Sequence, residues 1–296
     1  MIAQIDFRLP PDPPQTTAVL KKSHATSSKV YVGCAKWGRK EWVGKIYPLS
    51  TKEKDFLRYY VRQFNCIELN ATHYKIYGPE AIHKWADVAQ GKDFMFCPKF
   101  PQAISHYGQL DHAHDLTSAF LEGIVAFGQH LGPCFLQFSE RFSPKRWPEL
   151  LAYLESLPRD LQLFLELRHP DWFDHPEIRT HLFDTLQKLQ IGAVITDTSG
   201  RRDVAHMQLP TPDAFIRFVG NNLHPTDYSR IDEWVDRLKK WLDAGLRNLY
   251  FFMHQHDEKD SPELCTYLIR ELNRKCGLSL AEPKFMEPGL QGSLFS

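Results

Sequence analysis

Eight short apolar runs are spaced along this chain, and longer amphipathic segments separate them. The runs span residues 30–37, 66–74, 93–100, 133–138, 161–167, 192–198, 214–220 and 249–255. Most are too apolar to be exposed on one face, which is typical of parallel strands covered on both faces. The intervening segments place apolar residues at helical spacing; in "IDEWVDRLKKWL", Ile231, Trp234, Val235 and Leu238 lie on one stripe. The pattern predicts an α/β protein with a parallel sheet.

The number of strands favours one closed barrel over an open sheet. Eight predicted strands alternate with about seven predicted helices in 296 residues, a length that suits one (β/α)8 barrel. The alternative, an open doubly wound sheet, usually carries a glycine-rich phosphate-binding turn after its first strand. The corresponding segment here, "GCAKWGRKEW", has no G-x-G-x-x-G pattern. We therefore predict a single TIM-type (β/α)8 barrel.

Both ends of the chain differ in composition from the segment between them. The first 29 residues contain "LPPDPPQTTAVLKKSHATSS", and the chain closes with "AEPKFMEPGLQGSLFS". Neither stretch has hydrophobic periodicity, and Pro283 and Pro288 oppose a regular helix in the second. We expect a flexible N-terminal tail over 1–29, a barrel over 30–280 and a C-terminal tail over 281–296.

The charge balance limits the classes of partner. Lys plus Arg and Asp plus Glu each number 36, so the formal net charge is zero and there is no overall basic field to attract nucleic acid. No apolar run approaches the roughly 20 residues that a membrane helix needs. The N-terminus lacks the apolar core of a secretory signal, and we therefore expect a cytoplasmic location.

The six cysteines include no C-x-x-C pair. Four of them, Cys34, Cys66, Cys97 and Cys134, lie within the predicted strands. A shared metal cage is one interpretation, but zinc cages draw pairs of ligands from tight turns. Buried cysteine behaves as a small apolar residue, and we predict that these four belong to the core.

Polar side chains gather towards the carboxyl ends of the predicted strands. They are Glu68, Asn70, Thr72, Tyr74, Lys99, Gln137, Glu166, Arg168, Asp197, Arg217 and either His254 or Gln255. Residues two apart share a face of a strand, and barrel enzymes place their chemistry at the carboxyl-terminal mouth. The alternative is a set of structural ion pairs closing the barrel, such as Glu166 with Arg168 or Arg217. Their number on successive strands predicts a pocket.

Several of these residues fall within motifs of a known family. "YVGCAKWGRKEWVGKIYP", "IELNATHY", "FCPKFP", "FLQF", "ITDT" and, most specifically, "LELRHPDWF" resemble the YecE-like family, or domain of unknown function 72. The resemblance covers residues 30 to about 270 and implies a TIM-barrel fold, while the family's activity is unassigned. The chain departs from the family in "FSERF" after Gln137, where consecutive prolines are frequent, and in "FMHQHDE", where asparagines are common.

The mixture of acids and cations suggests chemistry on an anionic substrate. Arginine suits phosphate or carboxylate, and a carboxylate acts as a general base when burial or a second carboxylate raises its pKa. Hydrolysis of a phosphoester or a glycosidic bond would use such groups. We assign catalytic roles to Glu68, Glu166, Asp197 and Lys99. We assign substrate binding to Asn70, Tyr74, Gln137, Arg168, Trp172, Arg217, His254 and Gln255.

Two further features of the mouth have alternatives of their own. His254 and His256 have the i, i+2 spacing that directs both rings to one side of a strand, so a divalent metal held with carboxylates is an alternative to a metal-free site. Three aromatic residues near strand ends either stack on a base or sugar ring or simply fill the barrel top. They are Trp37, Tyr74 and Trp172.

The last residues suggest a protein partner. "QGSLF", residues 291–295, resembles the short peptide with which bacterial replication and repair proteins dock on the DNA sliding clamp. Leu294 and Phe295 would fill an apolar pocket and Gln291 would form hydrogen bonds, although Gly292 replaces the usual leucine. A clamp-tethered barrel would meet nucleic acid as its anionic substrate. The competing function is a non-catalytic ligand- or nucleic-acid-binding module delivered by this peptide.

Overall fold

The fold is a nearly closed barrel of eight parallel strands. The computed structural model describes residues 5–23, 25 and 27–287. The strands are β1 (Lys29–Cys34), β2 (Cys66–Leu69), β3 (Met95–Pro98), β4 (Cys134–Gln137), β5 (Leu163–Glu166), β6 (Gly192–Asp197), β7 (Asp213–Gly220) and β8 (Asn248–Gln255). Their order is β3-β2-β1-β8-β7-β6-β5-β4. Isolated parallel bridges from Phe96 to Leu131 and from Lys99 to Phe135 connect the chain around β3 with the chain around β4. They bring the ring nearly to closure, and the predicted TIM-type barrel is confirmed.

Helices follow the strands and cover the outside of the barrel. The α-helices are α1 (Pro14–Lys21), α2 (Phe56–Tyr60), α3 (Ala71–Tyr74), α4 (Pro79–Val88), α5 (Gln102–Ser105), α6 (His114–Val125), α7 (Trp147–Ser156), α8 (Asp171–Asp174), α9 (Pro176–Leu189), α10 (Pro225–Asp243) and α11 (Ser261–Cys276). Short 3₁₀ turns span Lys40–Trp42, Glu53–Asp55, Leu110–His112, Gly128–His130, Pro144–Arg146 and Glu258–Asp260. None of the helices that the structure describes is both long and apolar enough to span a membrane.

Two apolar layers hold the barrel together. The outer layer packs the sheet against the helices, and on α10 it buries the stripe that contains Trp234, Val235 and Leu238. The inner layer fills the barrel itself with Tyr31, Cys66, Cys97, Phe135, Phe164, Val194, Phe215, Tyr250 and Phe252. A filled interior leaves only the two ends of the barrel for polar chemistry.

The four strand cysteines are buried, as predicted. Cys66 and Cys97 lie in the inner layer, whereas Cys34 and Cys134 face the helices. Burial raises the pKa of the Cys66 and Cys97 thiols well above its ordinary value, so both remain protonated at neutral pH. They serve as core residues.

The N-terminal segment contains regular structure that we did not expect. Helix α1 lies within residues 1–29, and its Val19 and Leu20 are buried against the barrel. Pro14 occupies the start of the helix, where proline is tolerated, and Thr16 donates a hydrogen bond to the Met207 carbonyl at 3.0 Å. We interpreted the prolines of this segment as typical of a flexible tail, but Pro14 lies at the beginning of a helix. At the other end, residues 281–287 form no helix or strand.

Candidate functional site

Arg217 on β7 connects two opposite sides of the barrel at its carboxyl-terminal mouth. Its Nε and Nη2 donate to the Glu68 carboxylate on β2 at 2.9 and 3.0 Å. Its Nη1 donates to Glu166 Oε2 on β5 at 3.0 Å. All three side chains are nearly inaccessible to solvent. A guanidinium with two carboxylate partners is a geometry in which buried charges compensate one another.

Glu166 accepts hydrogen bonds from Arg168, just beyond its own strand β5, and from side chains of two further strands, β6 and β4. Arg168 Nε donates to Oε1 at 2.9 Å, and the Thr196 hydroxyl on β6 donates to the same oxygen at 3.2 Å. Gln137 Nε2 on β4 donates to Oε2 at 2.7 Å. Gln137 in turn accepts a 2.8 Å hydrogen bond from Lys99 Nζ, just beyond β3. Both oxygens of this carboxylate are therefore fully used.

Two further polar side chains at the mouth contact the Glu68 carboxylate. Asn70 Nδ2 donates to Oε1 at 2.9 Å, and His254 Nε2 lies 3.0 Å from Oε2. Together these residues form one connected network around the mouth. We call it the mouth cluster, and it consists of Glu68, Asn70, Lys99, Gln137, Glu166, Arg168, Thr196, Arg217 and His254.

The two carboxylates of the mouth cluster stay ionised. Burial alone would raise the pKa of Glu68, but Arg217 and His254 outweigh it and hold that pKa well below its ordinary value. Burial opposes ionisation of Glu166 too, yet Arg217 and Arg168 lower its pKa to about 2. A general base would need a raised pKa, and neither carboxylate meets that condition, because the arginine charges dominate over burial.

Lys99 has a pKa that is shifted towards neutral pH. Burial, followed by the positive charge of Arg217, lowers its pKa to about 8, although Glu68 and Glu166 act in the opposite direction. A lysine in this range exchanges a proton readily under physiological conditions. Lys99 therefore combines a cationic form that binds anions with a neutral form that accepts a proton.

Two cations of the cluster keep hydrogen-bond donors available. The Arg168 side chain is 36% exposed, and its Nη1 and Nη2 have no hydrogen-bond partner among the described residues. The Lys99 ammonium has three N–H groups and, within the same part of the chain, donates one side-chain hydrogen bond, to Gln137. Arg217, by contrast, is saturated by the two carboxylates. The open donors are suited to an incoming anion.

Asp197, the last residue of β6, faces away from the mouth cluster. It accepts hydrogen bonds from Arg202, from Arg230 Nε at 3.3 Å and from Trp234 Nε1 at 2.8 Å. Its neighbour Thr196 points inwards instead, because successive residues of a strand alternate between faces. Asp197, to which we assigned a catalytic role, therefore lies outside the mouth cluster and ties β6 to α10, while Thr196 contacts Glu166.

The second strand is shorter than predicted, which separates Glu68 from two of its supposed companions. β2 ends at Leu69, and α3 begins at Ala71. Thr72 consequently turns inwards to donate to the Leu69 and Lys99 carbonyls at 2.9 and 2.8 Å. Tyr74 emerges on the surface with 72% of its side chain exposed. The alternation of residue types along "IELNATHY" predicted a strand up to Tyr74, but the chain forms a helical turn over Ala71–Tyr74.

Three other predicted residues do not join the cluster. Gln255 faces outwards and accepts from the Asn222 amide at 2.7 Å, so His254 is the inward member of that pair. Trp172 is fully buried, and its Nε1 donates to the Phe142 carbonyl at 2.7 Å. Trp37 packs edge-on against Trp85 of α4, with ring centroids 5.6 Å apart. Trp172 and Trp37 act as packing residues.

The described residues bear on the metal hypothesis but do not include the residues of the docking hypothesis. His256 is exposed beyond the end of β8, and no group of three or more His, Cys, Asp or Glu side chains in the described ranges is arranged to hold a metal ion. The docking residues Gln291, Leu294 and Phe295 lie outside the described residues. The clamp partner remains a prediction from sequence.

The structure also brings residues to the mouth that sequence analysis missed. Thr196 belongs to the cluster and was identifiable by counting one residue back from Asp197. His73 and His106 lie beside Lys99. Burial is the main cause that lowers the pKa of both histidines, and the positive charge of Lys99 is the next. No local pattern in "KFPQAISHYG" indicates a site, because His106 reaches the mouth only through the turn that α5 makes after β3.

A separate cavity of about 610 Å³ lies at the opposite, amino-terminal end of the barrel. Lys29, Tyr31, Arg247 and Tyr250 are among its lining residues. Arg247 is already paired with Asp213 at the start of β7. Because polar groups with open donors gather at the other end, we place the candidate site at the mouth.

Comparisons with known proteins agree with this fold. The chain matches the family described as "Protein of unknown function DUF72" over residues 31–287. It is 29% identical to UPF0759 protein YecE of Escherichia coli K12 over 263 residues, which is 83% of this chain and 93% of that protein. It is 27% identical to UPF0759 protein YunF of Bacillus subtilis over 156 residues, covering 50% of this chain and 53% of that protein.

Solved structures of similar proteins have the same architecture. A DUF72 family protein from Enterococcus faecalis V583 superposes with a TM-score of 0.67 at 17% identity, covering 88% of this chain and 98% of that one. A DUF72 family protein from Thermotoga maritima gives a TM-score of 0.62 at 22% identity, covering 83% and 99% of the two chains. These likenesses support the barrel fold. With the family match over most of its length, this chain belongs to the DUF72 family.

Proposed function

We propose that this chain is an enzyme that binds a phosphate-bearing substrate at the mouth of its barrel and hydrolyses it. The observation that carries the proposal is the set of open donors on Arg168 and Lys99. Three cations, Arg168, Lys99 and Arg217, outnumber the two carboxylates of the cluster when Lys99 is protonated. The surplus positive charge favours an anion, and arginine matches the geometry of phosphate oxygens.

The saturated carboxylates are compatible with phosphoryl chemistry. Phosphoryl transfer proceeds through a loose transition state, and catalysis depends mainly on positioning and on electrostatic stabilisation. Glu68 and Glu166 would therefore act as positioning residues that hold Arg217 and Arg168. Lys99, with its pKa near 8, would bind a phosphate oxygen and supply a proton to the leaving oxygen. Glycoside hydrolysis is less well supported, since it needs one carboxyl group with a raised pKa.

A second candidate is a non-catalytic ligand-binding module. It is favoured by one observation, that all four carboxylate oxygens of Glu68 and Glu166 already accept hydrogen bonds from the protein. Neither oxygen pair is poised to deprotonate water. In this case the mouth would hold the same anionic ligand and release it unchanged.

Binding and turnover can be measured separately on the full chain. We expect calorimetric titration with ribose 5-phosphate to detect binding, and Arg168→Gln to weaken it roughly 10-fold or more, as loss of a charge-assisted contact implies. Arg58→Gln, which alters an exposed arginine on α2, is the matched control and should leave affinity unchanged. Equal affinities of the wild type and the Arg168 variant would overturn the proposed site.

Turnover is then tested with chromogenic phosphomonoesters and phosphodiesters. We expect release of phosphate or alcohol by the wild type, and loss of that activity with retention of the fold in Glu166→Gln. Binding without turnover of either ester class would exclude the hydrolase and leave the binding module. Unfolding of the Glu166 variant without any effect specific to activity would favour a purely structural ion pair.

A further inference from the structure

Two exposed tyrosines stand beside the mouth. Tyr74 at the end of α3 and Tyr107 after α5 are 72% and 79% exposed, which is unusual for large rings. Among the Phe, Tyr and Trp side chains of the described residues, they are the two most exposed. They follow β2 and β3, which are adjacent strands, so both belong to the same sector of the mouth. Exposed aromatic surface of this kind commonly marks a binding site.

Each tyrosine is backed by a histidine. The ring centroids of His73 and Tyr74 are 5.3 Å apart, and those of His106 and Tyr107 are 6.4 Å apart. The two histidine rings meet edge to face at 5.0 Å and join the pairs into one surface. We call these four residues the aromatic patch. Hydrogen bonds from His73 Nδ1 to the Phe100 carbonyl and between Ser105 and His106 fix the histidines in place.

The aromatic patch borders the open cations of the mouth cluster. Thr72 of α3 donates to the Lys99 carbonyl at 2.8 Å, which seats the helical turn on the end of β3. Burial and the Lys99 charge lower the pKa of His73 to about 4, and the same influences, with Arg168, lower that of His106. Both rings are consequently uncharged at neutral pH. His73 is only 6% exposed, so the accessible flat surfaces next to the cationic edge are those of Tyr74, Tyr107 and the half-buried His106.

We propose that the aromatic patch binds the planar ring of a nucleoside monophosphate whose phosphate is held by Lys99 and Arg168. This inference rests on the proposed function and specifies its substrate class. Tyrosine and imidazole faces stack on nucleobases, which are planar and polarisable. A ligand with a planar ring at one end and a phosphate at the other matches both halves of the surface. Sugar phosphates, which lack a planar base, would use the cationic half alone.

Adenosine 5′-monophosphate and ribose 5-phosphate are the probes for calorimetric titration of the full chain. We expect the nucleotide to bind more tightly than the sugar phosphate. At least one of Tyr107→Ala and Tyr74→Ala should weaken nucleotide binding, by roughly 5- to 100-fold, because the single base of the ligand stacks on one of these rings or lies between the two. Neither variant should change the affinity for ribose 5-phosphate, because its phosphate contacts remain.

Two controls separate stacking from other effects. Tyr107→Phe and Tyr74→Phe keep the ring and should keep nucleotide affinity, and Phe285→Ala removes an exposed ring outside the patch and should have no effect. Equal affinities for the two probes, or a nucleotide affinity unchanged in both alanine variants, would overturn this inference while leaving the phosphate site intact. Failure of both probes to bind would instead overturn the proposed function.

Discussion

Replacing Glu166 by glutamine should lower the stability of the barrel by an amount that depends on pH. The carboxylate is 2% exposed and receives Arg168, Arg217, Gln137 and Thr196 as donors. Its pKa falls from the ordinary 4.5 to about 2. At about 1.4 kcal/mol for each unit of pKa, the folded state gains about 3 kcal/mol from this ionisation at pH 7. Glu166→Gln removes most of that contribution.

The sign of the pH dependence follows from the lowered pKa. A carboxyl group with a depressed folded-state pKa contributes fully above its unfolded pKa, and the contribution disappears as pH falls through the folded pKa. For Glu166 the relevant window therefore runs from about pH 4.5 down to about pH 2. At pH 3 the contribution is reduced to about 1 kcal/mol. The gap between wild type and variant should thus be less than half as large at pH 3 as at pH 7.

Urea unfolding of both proteins at several pH values between 3 and 7 measures this gap. Glu80→Gln is the control, because Glu80 pairs with Lys84 on an exposed helix surface and should contribute little at any pH. A gap that is absent at pH 7, or that does not change between pH 7 and pH 3, would refute the electrostatic account of Glu166.

Three other substitutions test the placement of individual residues. Asp197→Asn should lower the free energy of unfolding by about 3 kcal/mol, as expected when a buried ion pair is broken. The affinity for ribose 5-phosphate should not change. Weaker binding with unchanged stability would show that Asp197 contacts the ligand. In wild-type protein, phosphate affinity should fall as pH rises through about 8, where Lys99 loses its proton, and Lys99→Met should abolish that dependence; a persistent dependence in the variant would contradict the assignment. Trp172→Ala should cost about 3–5 kcal/mol of stability through loss of core packing with no change in phosphate affinity, and a selective loss of affinity would show that Trp172 contacts the ligand.

Much of the barrel was predictable because its strands are short, apolar and separated by helical segments. The mouth cluster was predictable in outline for a related reason, since polar residues at the ends of apolar strands have only the barrel mouth in which to be accommodated. Glu68, Lys99, Gln137, Glu166, Arg168, Arg217 and His254 all meet there. Their hydrogen-bond partners depend on three-dimensional distances and could not be predicted from spacing.

The errors arose where local pattern and tertiary structure disagree. Alternation extended β2 through Tyr74, although the chain turns into a helix after Leu69 to cover the end of β3. At the end of β6 we selected Asp197 because it is charged, but the side chain that faces the inside of the barrel is that of Thr196. His106 lies in a segment without periodicity, and its position depends on contacts made by distant residues. Thr196 was identifiable from the alternation of residues along β6. The end of β2 and the position of His106 depend on tertiary contacts, which a single sequence does not specify.

The most direct test of the central claim is a crystal structure of this chain with bound tungstate, an electron-dense analogue of phosphate. We predict density at the mouth, within hydrogen-bonding distance of Arg168 Nη1 or Nη2 and of Lys99 Nζ, and its loss in crystals of Arg168→Gln. An unoccupied mouth with the anion bound instead beside Lys29 and Arg247, in the cavity at the opposite end of the barrel, would contradict the account.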